Sequence, residues 1–174
     1  MDKVAEVCDF VNLMTYDMRG GFTHITGHHT NLYYQEGDPL SGPASERTVE
    51  IYHNAGVPYE KMVLGAAFYG RMWSGIETWE NNGLGAAAKT IGTGLWDGYD
   101  AIKRDYVNKN GYLRFWDDAA KAPYVFNGDT FISYDDPQSL KEKCKYVQEK
   151  GLAGMMYWVY GCYELHDAIE RNLP

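Results

Sequence analysis

The sequence predicts an α/β fold whose parallel strands are interrupted by a small α+β insertion. Three apolar runs carry this reading: Val11-Asn12-Leu13-Met14-Thr15-Tyr16, Met62-Val63-Leu64-Gly65-Ala66-Ala67-Phe68-Tyr69 and Ala153-Gly154-Met155-Met156-Tyr157-Trp158-Val159-Tyr160. Continuous short apolar runs read as strands covered on both faces, as in a parallel sheet. Helical patterning lies between the runs, and a strand–helix–strand crossover makes its strands a parallel pair. Residues 72–131 break that rhythm with glycine-rich segments and short alternating runs.

The first strand covers residues 10–16. Residues 18–44 carry Gly, His, Thr, Asn and Pro, which is loop chemistry. A helix follows over residues 45–55, with Val49, Tyr52 and His53 at helical spacing, Ser45 as its N-cap and Gly56 just past its end. The second strand is Met62 to Tyr69. Inside the insertion, a short helix is expected near residues 98–107 and strands over 112–116, 124–126 and 130–134, with Asn127-Gly128-Asp129 as the turn between the last two. Asp136 then stands at an N-cap with Pro137 at the first helical position. Leu140, Cys144 and Val147 form the apolar stripe of that helix, and Gly151 ends it. The third apolar strand and a last helix over residues 164–172 complete the chain.

The totals narrow the function classes. The 174 residues suffice for one domain with a real core, and 45% hydrophobic against 23% charged residues mark a globular chain. A net charge of −8 argues against a nucleic-acid partner, since phosphate binding needs clustered Lys and Arg. The absence of any apolar run of 18 residues argues against a membrane span. The first residues show no leader pattern. Cys8, Cys144 and Cys162 are odd in number and form no C-x-x-C pair, so they read as buried small hydrophobes rather than a disulfide framework or zinc site. No metal or other cofactor is expected. Fifteen tyrosines and five tryptophans are compatible with sugar stacking, or simply with an aromatic core.

The ends of the three strands carry the candidate site. The first ends in Tyr16-Asp17, the second in Tyr69-Gly70-Arg71 and the third in Trp158. Each has a plain reading: Tyr16 and Trp158 as core, Asp17 as a loop cap, Arg71 in an ordinary ion pair. Together they gain meaning, because the C-terminal ends of parallel strands share one face of an α/β fold.

Leu13-Met14-Thr15-Tyr16-Asp17, Phe68-Tyr69-Gly70-Arg71, Phe131-Ile132-Ser133-Tyr134-Asp135-Asp136-Pro137 and Gly154-Met155-Met156-Tyr157-Trp158 resemble, in order and spacing, strands six, seven, the return from the insertion, and strand eight of the chitinase-like glycoside hydrolases of family 18. The resemblance implies the last three βα units of a TIM (β/α)8 barrel, formed by residues 1–71 and 132–174, with residues 72–131 as an α+β insertion domain between strands seven and eight. A complete barrel typically needs about 250 residues.

The resemblance also implies hydrolysis of β-1,4-linked N-acetylglucosamine polymers by a substrate-assisted retaining mechanism, an exception to the two-carboxylate scheme. Tyr16 is then expected to hydrogen-bond the acetamido oxygen and Asp17 to orient the bent acetamido group. Met14 packs beneath the sugar and Trp158 forms its floor. Tyr69 and Arg71 line the leaving-group side. The implied partners are chitin or N-acetylglucosamine oligosaccharides, and the implied compartment is extracellular.

The chain departs from the pattern in two places. Strand eight has Val159 where many members carry an acidic residue. The acid-bearing motif Asp-x-x-Asp-x-Asp-x-Glu is absent; its nearest echo, Asp97-Gly98-Tyr99-Asp100-Ala101-Ile102-Lys103-Arg104, has Ile102 and Arg104 in place of the last two acids and reads as helix surface. The 174 residues alone are therefore expected to be inactive, and their open strand edges to favour self-association. A non-catalytic chitin-binding lectin of the same fold, an endo-N-acetylglucosaminidase and a peptidoglycan hydrolase are the alternatives.

Overall fold

The computed structural model describes residues 1–34 and 42–173. Of the predicted loop over residues 18–44, residues 35–41 lie outside the described residues. Helix α1 (Asp2–Val7) leads to strand β1 (Val11–Leu13). The Lys61 ammonium donates to the carbonyls of Ala5 at 2.6 Å and Cys8 at 3.0 Å, so a cation satisfies the end of α1.

Strand β1 is shorter than its apolar run because Thr15 takes over the ladder. Its hydroxyl donates to Gly65 O at 2.6 Å and accepts from Gly65 N at 2.9 Å. A side chain thus makes both bonds that the backbone of a longer strand would make. Gly65 is required there, since a Cβ would lie 2.5 Å from Leu13 O.

Helix α2 (Ser45–Asn54) follows. Ser45 is its first helical residue, not its N-cap, which is Ala44. The Ser45 hydroxyl donates to Asn31 O at 2.9 Å, while the Ser45 and Glu46 amides donate to Asn31 O and Leu32 O. Loop carbonyls therefore receive the first amides of the helix. Gly56 closes it at φ 98°. Strand β2 (Met62–Ala67) lies parallel to β1, with Leu13 opposite Leu64.

Strands β3 (Gly70–Ser74) and β4 (Thr93–Leu95), helix α3 (Gly98–Asp105), and strands β5 (Leu113–Asp117), β6 (Ala122–Phe126) and β7 (Thr130–Tyr134) come next. The strands form an antiparallel sheet in the order β4-β3-β7-β6-β5. At the turn between β6 and β7, the Asn127 side chain accepts from the amides of Asp129 and Thr130. The sheet begins at Gly70, so Arg71 belongs to it and faces Ser133 of β7 in register.

Helix α4 (Pro137–Lys150) is capped by Asp136, whose carboxylate accepts from the amides of Gln138 and Ser139 while the Ser139 hydroxyl accepts from the Asp136 amide. Gly151 ends it in the left-handed conformation at φ 67°. Strand β8 (Gly154–Trp158) then pairs parallel with β2 on the side away from β1, and α5 (Tyr163–Asn172) closes the described chain. Cys144 and Cys162 are buried and Cys8 is half-buried, all three as free thiols.

One face of the three-stranded sheet is packed. Leu13, Leu64 and Met62 meet Val49, Val57 and Val147, while Ala66 and Tyr157 meet Phe68, Leu140 and Leu165. A further cluster, with Trp73, Phe126 and Phe131, fills the antiparallel sheet. The other face of the parallel sheet carries Asn12, Met14, Val63, Met156 and Trp158, which are exposed or only partly buried, beside the small buried residues Gly65 and Ala67.

A charged pair is buried where the two sheets meet. Lys143 of α4 donates to Asp135 Oδ2 at 2.6 Å and to Thr30 Oγ1 at 2.7 Å. Asp135 also accepts from the Ala67 amide, the Ser139 hydroxyl and the Thr30 hydroxyl. Burial pushes the Lys143 ammonium down from its ordinary value against the pull of Asp135. Removing one partner leaves an uncompensated charge, so Lys143→Met is expected to lower the unfolding free energy by roughly 3–5 kcal/mol. Adding Asp135→Asn recovers part of the loss, because the amide oxygen still serves Ala67. Urea unfolding of both variants checks this; equal losses in the single and double variants would contradict it.

Candidate active site

The ends of β1 and β2 meet the start of β3 at a single carboxylate. Asp17 sits at φ 56°, a left-handed conformation that aspartate tolerates better than most residues. Its Oδ1 accepts from the Tyr69 hydroxyl at 2.7 Å and from Arg71 Nε at 2.8 Å, and its Oδ2 accepts from Arg71 Nη2 at 2.8 Å. The guanidinium thus grips both oxygens, the strongest geometry open to an Arg–carboxylate pair. The Asp17 side chain remains 40% exposed, against 14% for Arg71. Arg71 also donates to Gly92 O at 3.3 Å and lies 5.2 Å from the Trp96 ring centre.

These contacts set the charge states. Burial works to raise the Asp17 carboxyl, but a polar contact from His29 and hydrogen bonds from Arg71 and Tyr69 outweigh it and hold it well below the usual carboxylate range. Burial, then the bond to Asp17, pushes the Tyr69 phenol far above its ordinary value. Tyr16 is raised in the same way, chiefly by burial and then by Asp17. At neutral pH the cluster is therefore a carboxylate that only accepts, beside two phenols that can donate.

Tyr16 meets Tyr69 edge to face, with ring centres 6.1 Å apart, and its hydroxyl lies 4.0 Å from Met156 Sδ, a weak acceptor. Met14 and Trp158 stand on the open sheet face, 74% and 54% exposed. Trp158 is level with Ala67 of β2 in register. The structure brings Tyr16, Asp17, Tyr69 and Arg71 into contact, while Met14 and Trp158 lie exposed on the same side of the sheet. The Asp97–Arg104 stretch begins at the N-cap of α3 and runs along that helix, with Asp97, Asp100 and Arg104 exposed.

Two neighbours had no clear signal in the sequence. Trp96 packs 4.9 Å from the Tyr69 ring and is 57% exposed; one tryptophan among many aromatics gives no hint of its place. His29 is fully buried, with its ring 5.2 Å from Tyr69 and Nδ1 3.7 Å from Asp17 Oδ1, beyond hydrogen-bond distance. Among the described residues, His166, Asp167 and Glu170 are grouped closely enough to hold a metal ion, but they are two exposed acids and a half-exposed imidazole on α5.

Residues 1–161 match the model of the glycosyl hydrolases family 18. The chain belongs to glycosyl hydrolase family 18. It is 38% identical over 169 residues to chitinase A1 of Niallia circulans, covering 90% of this chain and 24% of that protein. It is 32% identical over 173 residues to chitotriosidase-1 of Mus musculus, covering 91% of this chain and 35% of that protein. Among solved structures, a family 18 N-acetylglucosaminidase from Paenibacillus barengoltzii superposes with a TM-score of 0.94 at 46% identity, over 99% of this chain and 51% of that one. This family 18 chain thus has the mixed α/β fold of its structural neighbours, and it spans about a quarter to a third of the length of those two relatives.

The charge state of Asp17 is directly measurable. A carboxyl depressed in the folded state contributes stability that is fully present above its ordinary value of 3.8 and is lost as pH falls below it. Carbon-13 NMR of the side-chain carboxyls is expected to find Asp17 still ionised at pH 3.8, and Arg71→Leu to move its titration upward. A wild-type Asp17 titrating at or above 3.8 would contradict a carboxylate held ionised by Arg71 and Tyr69.

Proposed function

We propose that this family 18 chain forms the last three βα units of a TIM (β/α)8 barrel and supplies the acetamido-binding part of a chitinase-type active site. Three features support the partial barrel. The parallel strands run in the order β1-β2-β8, each joined to the next by a helix-bearing connection. Their packed face is the helix side, and their other face is open. The similar N-acetylglucosaminidase is about twice as long. The antiparallel sheet is then an insertion domain between strands seven and eight, and the free edges of β1 and β8 are where further strands pair.

The observation that carries the chemistry is the Asp17 carboxylate, gripped by Arg71 and Tyr69 beside the Tyr16 hydroxyl. An ionised carboxylate can only accept, so Asp17 suits the N–H of a substrate acetamido group. Tyr16, a neutral phenol whose hydroxyl has a weak contact with the Met156 sulfur, suits the acetamido oxygen. Held between them, that oxygen is aimed at the anomeric carbon, and the positive charge of the oxazolinium-like intermediate develops beside Asp17. Trp158 and Met14 offer an apolar floor for the sugar ring. Arg71 and Tyr69 hold Asp17 from behind and border the leaving-group side. The proton donor is not among these residues, so the activity proposed is that of a larger protein acting on chitin or N-acetylglucosamine oligosaccharides.

Steady-state kinetics of the whole protein on a soluble chitin oligomer separate these roles. Asp17→Asn removes charge that matters most in the transition state, so kcat and kcat/KM are expected to fall together by roughly 10²–10³-fold. Trp158→Ala removes a surface that the ground-state sugar also uses, so KM rises as well. A near-normal kcat in Asp17→Asn would return Asp17 to the status of a loop residue.

A further inference from the structure

We infer that His29 is a positioning residue for Asp17, presenting an Nδ1–H donor to Asp17 Oδ1 from the buried side of the site. This rests on the proposed role of Asp17 and deepens it. His29 is 0% exposed, so it cannot touch a sugar, yet its Nδ1 lies 3.7 Å from the oxygen that Tyr69 and Arg71 Nε already serve. Among the described residues, neither ring nitrogen has a hydrogen-bond partner.

The backbone fixes this approach from both directions. The Met18 amide, next to Asp17, donates to His29 O at 3.0 Å. The His29 amide donates to Ser133 Oγ of β7 at 3.0 Å. The next residue, Thr30, is locked into the buried Asp135–Lys143 network. The ring therefore stands between the solvent-facing carboxylate and a buried ion pair.

The charges around the ring choose its form. Asp17 faces it from the end of β1, Tyr69 from the turn between β2 and β3, Asp135 from the end of β7 and Lys143 from α4. Burial pushes the imidazole below its ordinary value, and the pull of Asp17 and Asp135 does not reverse that. A neutral ring has one N–H and one lone pair. A lone pair at Nδ1 would face a carboxylate and be repelled, and would strand the N–H at Nε2 without an acceptor. The Nδ1–H form avoids both. Catalytic hydrogen bonds are often long in unliganded enzymes and tighten when the site fills. A shift of less than about 1 Å brings this contact into hydrogen-bond range.

The test reads the tautomer first. The protein is labelled with nitrogen-15 histidine, and long-range proton–nitrogen spectra are recorded from pH 5 to 8, with His29 assigned by its loss in His29→Gln. A neutral Nδ1–H pattern at neutral pH is expected, with any protonation confined to lower pH than for a free imidazole. An Nε2–H pattern, or a ring that titrates like a free imidazole, overturns the inference. This readout needs no activity, so it stands apart from the test of the proposed function. Kinetics of the whole protein add the second arm. His29→Leu is expected to lower kcat roughly 10- to 100-fold, the size of one hydrogen bond to a charged group, with KM little changed. His29→Gln, which keeps a donor, recovers most of the loss. Equal loss in both variants, or none in either, overturns the positioning role. If His29→Leu fails to fold, the His29→Gln kinetics and the tautomer decide.

Discussion

The bidentate grip of Arg71 on Asp17 joins the two halves of this molecule. Asp17 follows β1 of the parallel sheet, and Arg71 is the second residue of β3 in the antiparallel sheet. Tyr69 donates to the same carboxylate from the turn between β2 and β3. The contact therefore fixes how the two sheets meet and, at the same time, aims an ionised carboxylate at open space. Because the guanidinium neutralises Asp17 without covering it, the carboxylate keeps its charge while remaining 40% exposed. A lone aspartate at that depth would be drawn toward protonation by burial.

The support beneath it is also polar. Asp135 receives donors from β2, α4 and the loop that carries Thr30, so one buried carboxylate pins three elements around the same corner. The Lys143 partner makes this arrangement tolerable in a dry interior. Apolar packing holds the helices to the sheet, whereas these charged contacts fix the direction of the strand ends. That division explains how the site residues are held in place although several stand outside regular strands.

Much of this was legible in the sequence. The runs Met62 to Tyr69 and Ala153 to Tyr160 announce the parallel strands β2 and β8, and Asp136-Pro137 with Gly151 brackets α4 closely; the expected burial on both faces holds for most of β2 but not for β8, which has no fully buried residue and ends in the exposed Trp158. Tyr16, Asp17, Tyr69 and Arg71 stand out as polar ends on apolar runs. What escaped had non-local causes. Gly70–Ser74 has no strong alternation and becomes a strand because β7 pairs with it across the insertion. The Thr15 hydroxyl cuts β1 short through a glycine fifty residues away. Ser45 has the chemistry of an N-cap, but Asn31 O claims its hydroxyl. His29 sits in a stretch of loop chemistry, and nothing local marks it as a fully buried ring.

The role proposed for Asp17 and Tyr16 is to receive the acetamido group of an N-acetylglucosamine unit. The crystal structure of the whole protein with a bound N-acetylglucosamine oligomer tests it most directly. The expected result is an acetamido nitrogen and oxygen at about 2.6–3.2 Å from the Asp17 carboxylate and the Tyr16 hydroxyl, with the sugar ring over Trp158. An oligomer bound elsewhere, leaving the Asp17–Arg71 pair facing solvent, would contradict it.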